Sequence, residues 1–382
     1  MPHFIYKRPQ LAVTYCDSLA GKGIANSRSG LFSAAPRQVG KTTFLVQDLI
    51  PEARSRGWTV IYIDLWFDKQ QDPAILISAA IKKAITAQEN KLTKLLKRIK
   101  LSKLTLMNII AVDLSESTLP IHVTLADALQ LLGEITGKPT LVIIDEAQHA
   151  LTTPAGANAM FALKAARDYL NRTYADPALM LVFTGSNRDK LAHLVLRKDQ
   201  PFFGSVITPF PLLGKDFTDA FTAWVNEGLT KNNQFSEDSM LQALQWVGHR
   251  PDILAQIAGS IALDHEASHF TQLLEKDALI WKNRLWETFE NDFNALTVLQ
   301  QSVLEALIKN GRTWSPFSEE SMAQYKNEAG QPALSTASIQ SAIQALRDKG
   351  FIWQSARGAY ALEDESVMEW YKYHRSVAES YG

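Results

Sequence analysis

Ala35-Pro36-Arg37-Gln38-Val39-Gly40-Lys41-Thr42-Thr43 follows a short apolar run, Gly30 to Ala34, and precedes a helical pattern from Phe44 to Ile50. A strand, a tight loop ending in Gly-Lys-Thr, and a helix form a phosphate-binding device. The loop turns its backbone N–H groups inward around phosphate oxygens. Gly40 leaves the backbone open to close approach. The helix N-terminus adds partial positive charge. Lys41 is placed to reach the outer phosphates, and the Thr42 hydroxyl is a natural Mg²⁺ ligand. Ala35 stands where such loops usually carry glycine.

Leu141-Val-Ile-Ile-Asp145-Glu146 is an apolar strand ending in two acids, 104 residues after Lys41. Charge at the end of a buried strand is costly unless it meets a metal or a partner. Asp145 suits Mg²⁺, held through water. Glu146 suits the polarisation of an attacking water, which favours true hydrolysis over transfer to a small molecule. An Asp-Glu pair alone would be an ordinary helix start. In order after the loop, it completes a nucleotide-hydrolysing site.

The surrounding pattern gives the architecture. Thr59 to Asp64, Thr140 to Ile144 and Leu179 to Phe183 are apolar on both faces, as in a parallel sheet covered by helices. The segments between them are long enough for helical crossovers. The fold class is α/β: a P-loop NTPase parallel sheet over residues 1–213, a helical lid over 214–290 and a winged-helix domain over 291–382. The lid carries Phe217, Phe221 and Trp224 at helical spacing, and Pro251 opens another helix. Trp224, Trp246, Trp281 and Trp286 read as filling between lid helices, with base stacking on nucleic acid as the alternative. In the last piece two helices, one ending at Asn310-Gly311 and one after Ser335, lead into a hairpin around Ser355-Ala-Arg-Gly358.

Composition sets the bounds. The 382 residues are 46% hydrophobic and 21% charged, with 19 Gly and 15 Pro, which excludes collagenous and low-complexity chains. The single cysteine, Cys16, excludes an internal disulfide and a cysteine-based zinc site. No apolar run approaches the ~20 residues of a membrane span. MPHFIYKRPQ lacks the layout of a signal peptide, so the expected location is cytoplasmic. Residues 1–150 hold 18 Lys and Arg against 13 Asp and Glu, too mild a bias to announce a nucleic-acid binder.

Two polar stretches are candidate sensors of the nucleotide. Ser186-Asn187-Arg188 ends the strand from Leu179 and would lie near the γ-phosphate; the competing reading is a helix cap. In Gly248-His-Arg250-Pro251, Arg250 could reach phosphates and Pro251 could pack on adenine; the competing reading is a plain helix start. Together APRQVGKTT, LVIIDEAQH, LVFTGSNRDKL and GHRPDIL resemble the prokaryotic ATPases of the AAA+/STAND superfamily, and within it the archaeal-type ATPase family. The C-terminal AYALEDESVMEWYKYH is similar to that group's usual tail. The resemblance implies ATP as ligand, Lys41 and Thr42 on phosphate and Mg²⁺, Asp145 on the metal and Glu146 on water. Arg188 resembles a first-sensor arginine and Arg250 a second. One departure stands out. Ser205, in Phe202-Phe-Gly-Ser-Val206, occupies a place where family members often carry an arginine serving a neighbour's site. Arg197 or Arg172 could substitute.

Six basic residues lie between Lys91 and Leu104, with no acid until Asp113, along an apolar stripe of Leu92, Leu95, Leu96 and Ile99. The stretch suits nucleic-acid phosphates, an acidic partner or a membrane surface; equally it is a solvated helix packed on the core. In the winged helix, Gln340, Gln344, Arg347 and Lys349 could face a major groove and Arg357 a minor groove, yet residues 291–382 hold 8 basic and 11 acidic residues. The sequence therefore predicts an Mg²⁺-dependent ATPase acting as a nucleotide-driven switch on a protein partner, with a nucleotide-dependent homo-oligomer possible. The alternatives are a DNA-binding loader or transposition-type regulator, and an interaction module with negligible turnover. No guanine-reading N-K-x-D motif follows the acidic strand, which favours ATP over GTP.

Overall fold

A computed structural model describes residues 4–22, 26–88, 119, 123–173, 176–264, 268–330 and 333–380, with side chains to 374. The basic stretch 91–103 lies outside the described residues.

Five parallel strands form the central sheet in the order β2-β3-β4-β1-β5. They are β1 (Leu31–Ala34), β2 (Thr59–Asp64), β3 (Thr140–Asp145), β4 (Leu179–Gly185) and β5 (Ile207–Pro209). The acidic strand β3 thus pairs with β4, not with the phosphate-loop strand β1, and β4 lies between them. Side chains of one strand alternate between two helical layers. Val142, Ile144, Leu181 and Phe183 join the layer of the helices Pro73–Thr86, Leu125–Thr136 and Pro154–Thr173. Leu141, Ile143, Met180 and Val182 join the layer of Pro9–Leu19 and the phosphate-loop helix. Burial on both faces is why these strands read as unbroken apolar runs. The edge strand β5 went unread in the sequence. It is only three residues long and ends at Pro209, which cannot donate to a ladder.

The phosphate-loop helix starts at Lys41, passes through a π turn at Leu45–Leu49 and continues over Ile50–Ser55. The N-terminal segment fastens to that turn. Arg8 N–H donates to Asp48 Oδ1 at 3.0 Å, and Lys7 Nζ donates to the Gln47 carbonyl at 2.9 Å.

Helices Lys215–Asn226, Glu237–Trp246, Pro251–Leu263 and Phe270–Asn294 share an apolar cluster of Phe217, Phe221, Leu244, Leu254 and Leu274. Phe4 and Tyr6 pack edge-on against its Phe217. Three helices (Val298–Asn310, Glu319–Ala329, Thr336–Asp348), the antiparallel hairpin β6 (Ile352–Ala356) and β7 (Ala359–Leu362), and a last helix Ser366–Ser380 surround a separate cluster. Helix Phe270–Asn294 runs through position 290: Leu274 and Ala278 belong to the first cluster, while Trp286, Phe289 and Phe293 pack on the second. Among the described residues no helix is long and apolar enough to cross a membrane.

Candidate nucleotide site

The site lies at the C-terminal ends of β1, β3 and β4. Gly40 sits at φ 87°, a left-handed backbone that side chains disfavour. A Cβ there would meet only Leu213, 4.0 Å away. The requirement is therefore conformational and not one of space. Gln38 also has positive φ, at 64°, and Val39 is buried beneath the loop. Lys41 is 5% exposed, and its Nζ donates to the carbonyls of Ala35 and Pro36, each at 2.7 Å. A buried ammonium needs such partners. Burial lowers the Lys41 pKa; Glu146 and Asp145 oppose the shift, while Arg37 and Arg188 add to it.

Asp145 is the most buried acid of the site, at 1% exposure. Its carboxylate accepts from Thr42 Oγ1 at 2.7 Å, from Tyr62 OH at 3.2 Å, from the Glu146 N–H at 3.0 Å and from the Thr184 hydroxyl. The Tyr62 hydroxyl is pushed up by burial and by the nearby Asp145 and Asp64. Thr42 and Asp145 together offer the hard oxygen donors that Mg²⁺ takes. No group of three His, Cys, Asp or Glu suited to a metal occurs among the described residues. An ion here would take the rest of its shell from phosphate and water.

Glu146 has φ 54°, a strained backbone for a residue with a side chain. Its Oε2 accepts from Ser186 Oγ at 2.7 Å, from Ser186 N–H at 3.3 Å and from Gln148 Nε2 at 2.5 Å. Arg37 reaches Ser186 Oγ at 3.4 Å, and its guanidinium lies 4.5 Å from the Trp66 ring centre. A cavity of about 250 Å³ runs along Gln38, Lys41, Thr42 and Thr43 to Glu146 and Asp252. A second, of about 220 Å³, opens beside Gly40 and Thr43 toward Tyr6, Phe217, Phe221 and Pro251. Its flat aromatic walls suit a base stacked between rings.

The two readings of Ser186-Asn187-Arg188 divide between the residues. Ser186 turns to Glu146. Asn187 caps the helix Arg188–Leu196 by accepting from the Lys190 N–H at 2.7 Å. Arg188 faces the C-terminal domain: its N–H donates to Glu363 Oε1 at 2.6 Å, and its guanidinium lies 5.9 Å from the Trp353 ring. Next to it, Asp189 accepts from Arg347 Nε at 2.9 Å and from the Gln354 N–H at 3.0 Å. Burial works against the charged form of Asp189, but bonds from His193, Arg347 and Gln354 outweigh it and hold the carboxyl below its usual range. Burial pushes Glu363 up to about 7, against the pull of Arg188. Arg347 is thus turned inward onto the core, not outward as a groove-reading side chain.

Pro251 lines the apolar cavity. Arg250 does not line either cavity; it lies 5.2 Å from the Trp281 ring centre, with its Nη1 buried and, among the described residues, unpaired. Ser205 and Arg197 lie in the turn between the helix Arg188–Leu196 and β5, where Arg197 pairs with Asp199 at 2.9 Å. Arg172 lies in the last turn of Pro154–Thr173, near the start of β4 and away from the phosphate loop. Sequence reasoning missed the Phe4–Arg8 segment, Tyr62 and Gln148. The only signal for the first was the aromatic and basic run before Pro9.

A family model described as "Probable winged helix domain" matches residues 287–373. No curated protein sequence matches the chain. Among solved structures, the Walker-type ATPase PABY2304 of Pyrococcus abyssi is similar over 96% of this chain and 95% of its own, with TM-score 0.54 at 16% identity. The ADP form of the Aeropyrum pernix ORC2 protein is similar over 97% and 93%, with TM-score 0.54 at 14% identity. The chain shares the overall fold of these solved structures, a parallel α/β sheet with a helical segment, followed by a C-terminal winged-helix domain.

Proposed function

We propose that this protein is an ATP-binding, Mg²⁺-dependent ATPase that serves as a nucleotide-driven switch on a protein partner in the cytoplasm. One observation carries the reading: Ser186 bonds to Glu146, and two residues further along the same chain the Arg188 N–H donates to Glu363 of the winged helix. A change at the γ-phosphate has a physical route to the C-terminal domain. The similarity to a Walker-type ATPase and to an ADP-bound structure supports the choice of nucleotide.

In this reading the base stacks in the aromatic cavity beside Pro251, and the loop N–H groups of residues 37–43 cradle the phosphates. Thr42 and Asp145 would hold Mg²⁺, which supplies charge neutralisation at the phosphates. Lys41 exchanges its two carbonyl partners for phosphate oxygens. Glu146 orients the attacking water and accepts its proton. Arg37 already lines the cavity beside Lys41, and Arg188 and Arg250, whose Nη1 is unpaired among the described residues, would meet phosphate charge after a small rearrangement. Arg197 is the exposed arginine available to a neighbouring copy, should the active form be a homo-oligomer.

The test is steady-state ATP turnover with and without duplex DNA, with Lys41→Ala as the blank. Turnover that depends on Lys41 and is indifferent to DNA supports the switch. Stimulation by DNA replaces it with the loader reading, and turnover equal to the blank replaces it with a binding module.

A further inference from the structure

We propose that Gln148 is the positioning residue that aims Glu146. The inference rests on the reading of Glu146 as the residue that meets water. Gln148 is 5% exposed, in the 3₁₀ turn Ala147–Thr152 that begins immediately after the left-handed Glu146. Its Nε2 donates to Glu146 Oε2 at 2.5 Å and reaches Ser186 Oγ at 3.3 Å. The amide orientation is fixed by chemistry: a flipped amide would press its oxygen on a carboxylate. Among the described residues all three hydrogen bonds to the Glu146 side chain, from Gln148 and from Ser186 O–H and N–H, end on Oε2. Oε1 is the oxygen left to accept from water in the cavity beside Lys41 and Thr42.

The other end of the amide shows that its position is enforced. Among the described residues Gln148 Oε1 is buried without a partner, a cost that native structures rarely leave in place without a reason. It lies against Gly185, where a Cβ would come within 2.6 Å of it. Gly185 ends β4 directly before Ser186. The strand therefore supplies Ser186 as one clamp on Glu146, and through its glycine leaves the room for the other.

The experiment measures kcat and ATP affinity for Gln148→Ala, Gly185→Ala, Glu146→Gln and the doubles. Gln148→Ala is expected to lower kcat at least about tenfold, since small misplacements at a reacting centre are costly, while Kd for ATP stays within about twofold. Gly185→Ala is expected to do the same by displacing the amide, and to add nothing to Gln148→Ala. Neither is expected to lower kcat further in the Glu146→Gln background. Full turnover in Glu146→Gln, or wild-type turnover no greater than Lys41→Ala, overturns the reading of Glu146 and the inference with it. Loss in Glu146→Gln with near-normal kcat in both Gln148→Ala and Gly185→Ala overturns the inference alone. So does a parallel loss of ATP affinity, which marks a structural role.

Discussion

Replacing Arg347 with methionine keeps the apolar stem and removes the charge that faces Asp189. The two side chains are 10% and 9% exposed, with Nε 2.9 Å from Oδ1. An exposed pair would contribute ~0–1 kcal/mol. A desolvated pair broken from one side costs about 3–5 kcal/mol, because an uncompensated charge stays buried. Asp189 would retain the Gln354 N–H and His193, which places the loss near the low end, about 3 kcal/mol. Gln354 belongs to β6, so Asp189 escapes the penalty only if the winged helix leaves the core and water replaces it. The loss should therefore appear as undocking, a shift on the order of 10² in the docking equilibrium. Hydrogen exchange of the β6 amides reads it directly. Asp189→Ala should match Arg347→Met, and the double should cost at least about 2 kcal/mol less than the sum of the singles. Unchanged β6 protection in Arg347→Met, or additive singles, would refute the reasoning.

Glu363 gives the dock a pH dependence. Its carboxyl is raised to about 7 in the folded protein, so the stability it contributes is complete below its ordinary range and is lost as pH rises through 7. Raising pH from 4.5 to 7 should loosen the dock by about 1.4 kcal/mol per unit, with no further loosening above 7, and Glu363→Gln should flatten the profile; an equal slope in the variant would sink the assignment. Phe183 is fully buried and stacked on Phe32 at 4.7 Å, so Phe183→Ala should cost about 3–5 kcal/mol in urea unfolding; a loss under about 1 kcal/mol would show that the sheet core can collapse around the gap. Phe217→Ala should weaken ADP about tenfold, as loss of a stacked ring does, and leave pyrophosphate affinity unchanged; equal weakening of both would remove the base from that cavity.

The phosphate loop and the acidic strand were legible because their chemistry is local. The loop before Lys41 and the strand ending in Asp145 and Glu146 follow from identity and spacing along a few residues, and the sheet announced itself by strands apolar on both faces. What remained illegible is set by distant packing. Nothing in LVFTGSNRDKL says that Ser186 turns to Glu146 while Arg188, two residues on, turns to the winged helix. The helix start at Pro251 was visible, but not that Arg250 would stack on Trp281. Phe4 and Tyr6 form a cavity wall only once lid helices bring Phe217 beside them. Arg347 looked like a groove-reading side chain because helix sequence does not reveal which face another domain covers.

Helix Phe270–Asn294 serves two apolar clusters, and its 25 residues span roughly 38 Å at 1.5 Å per residue. Pivoted at the lid, it would be a lever. A tilt of about 10° at the lid end would carry the other end through roughly 6–7 Å. Lys282 and Glu369, 2.6 Å apart, tie its middle to the last helix, so that helix would travel with it. A lid that closes by a small angle on a base would thus shear the hairpin across the helix that begins at Arg188, and the docking bonds would break or slip according to how far the lid has moved.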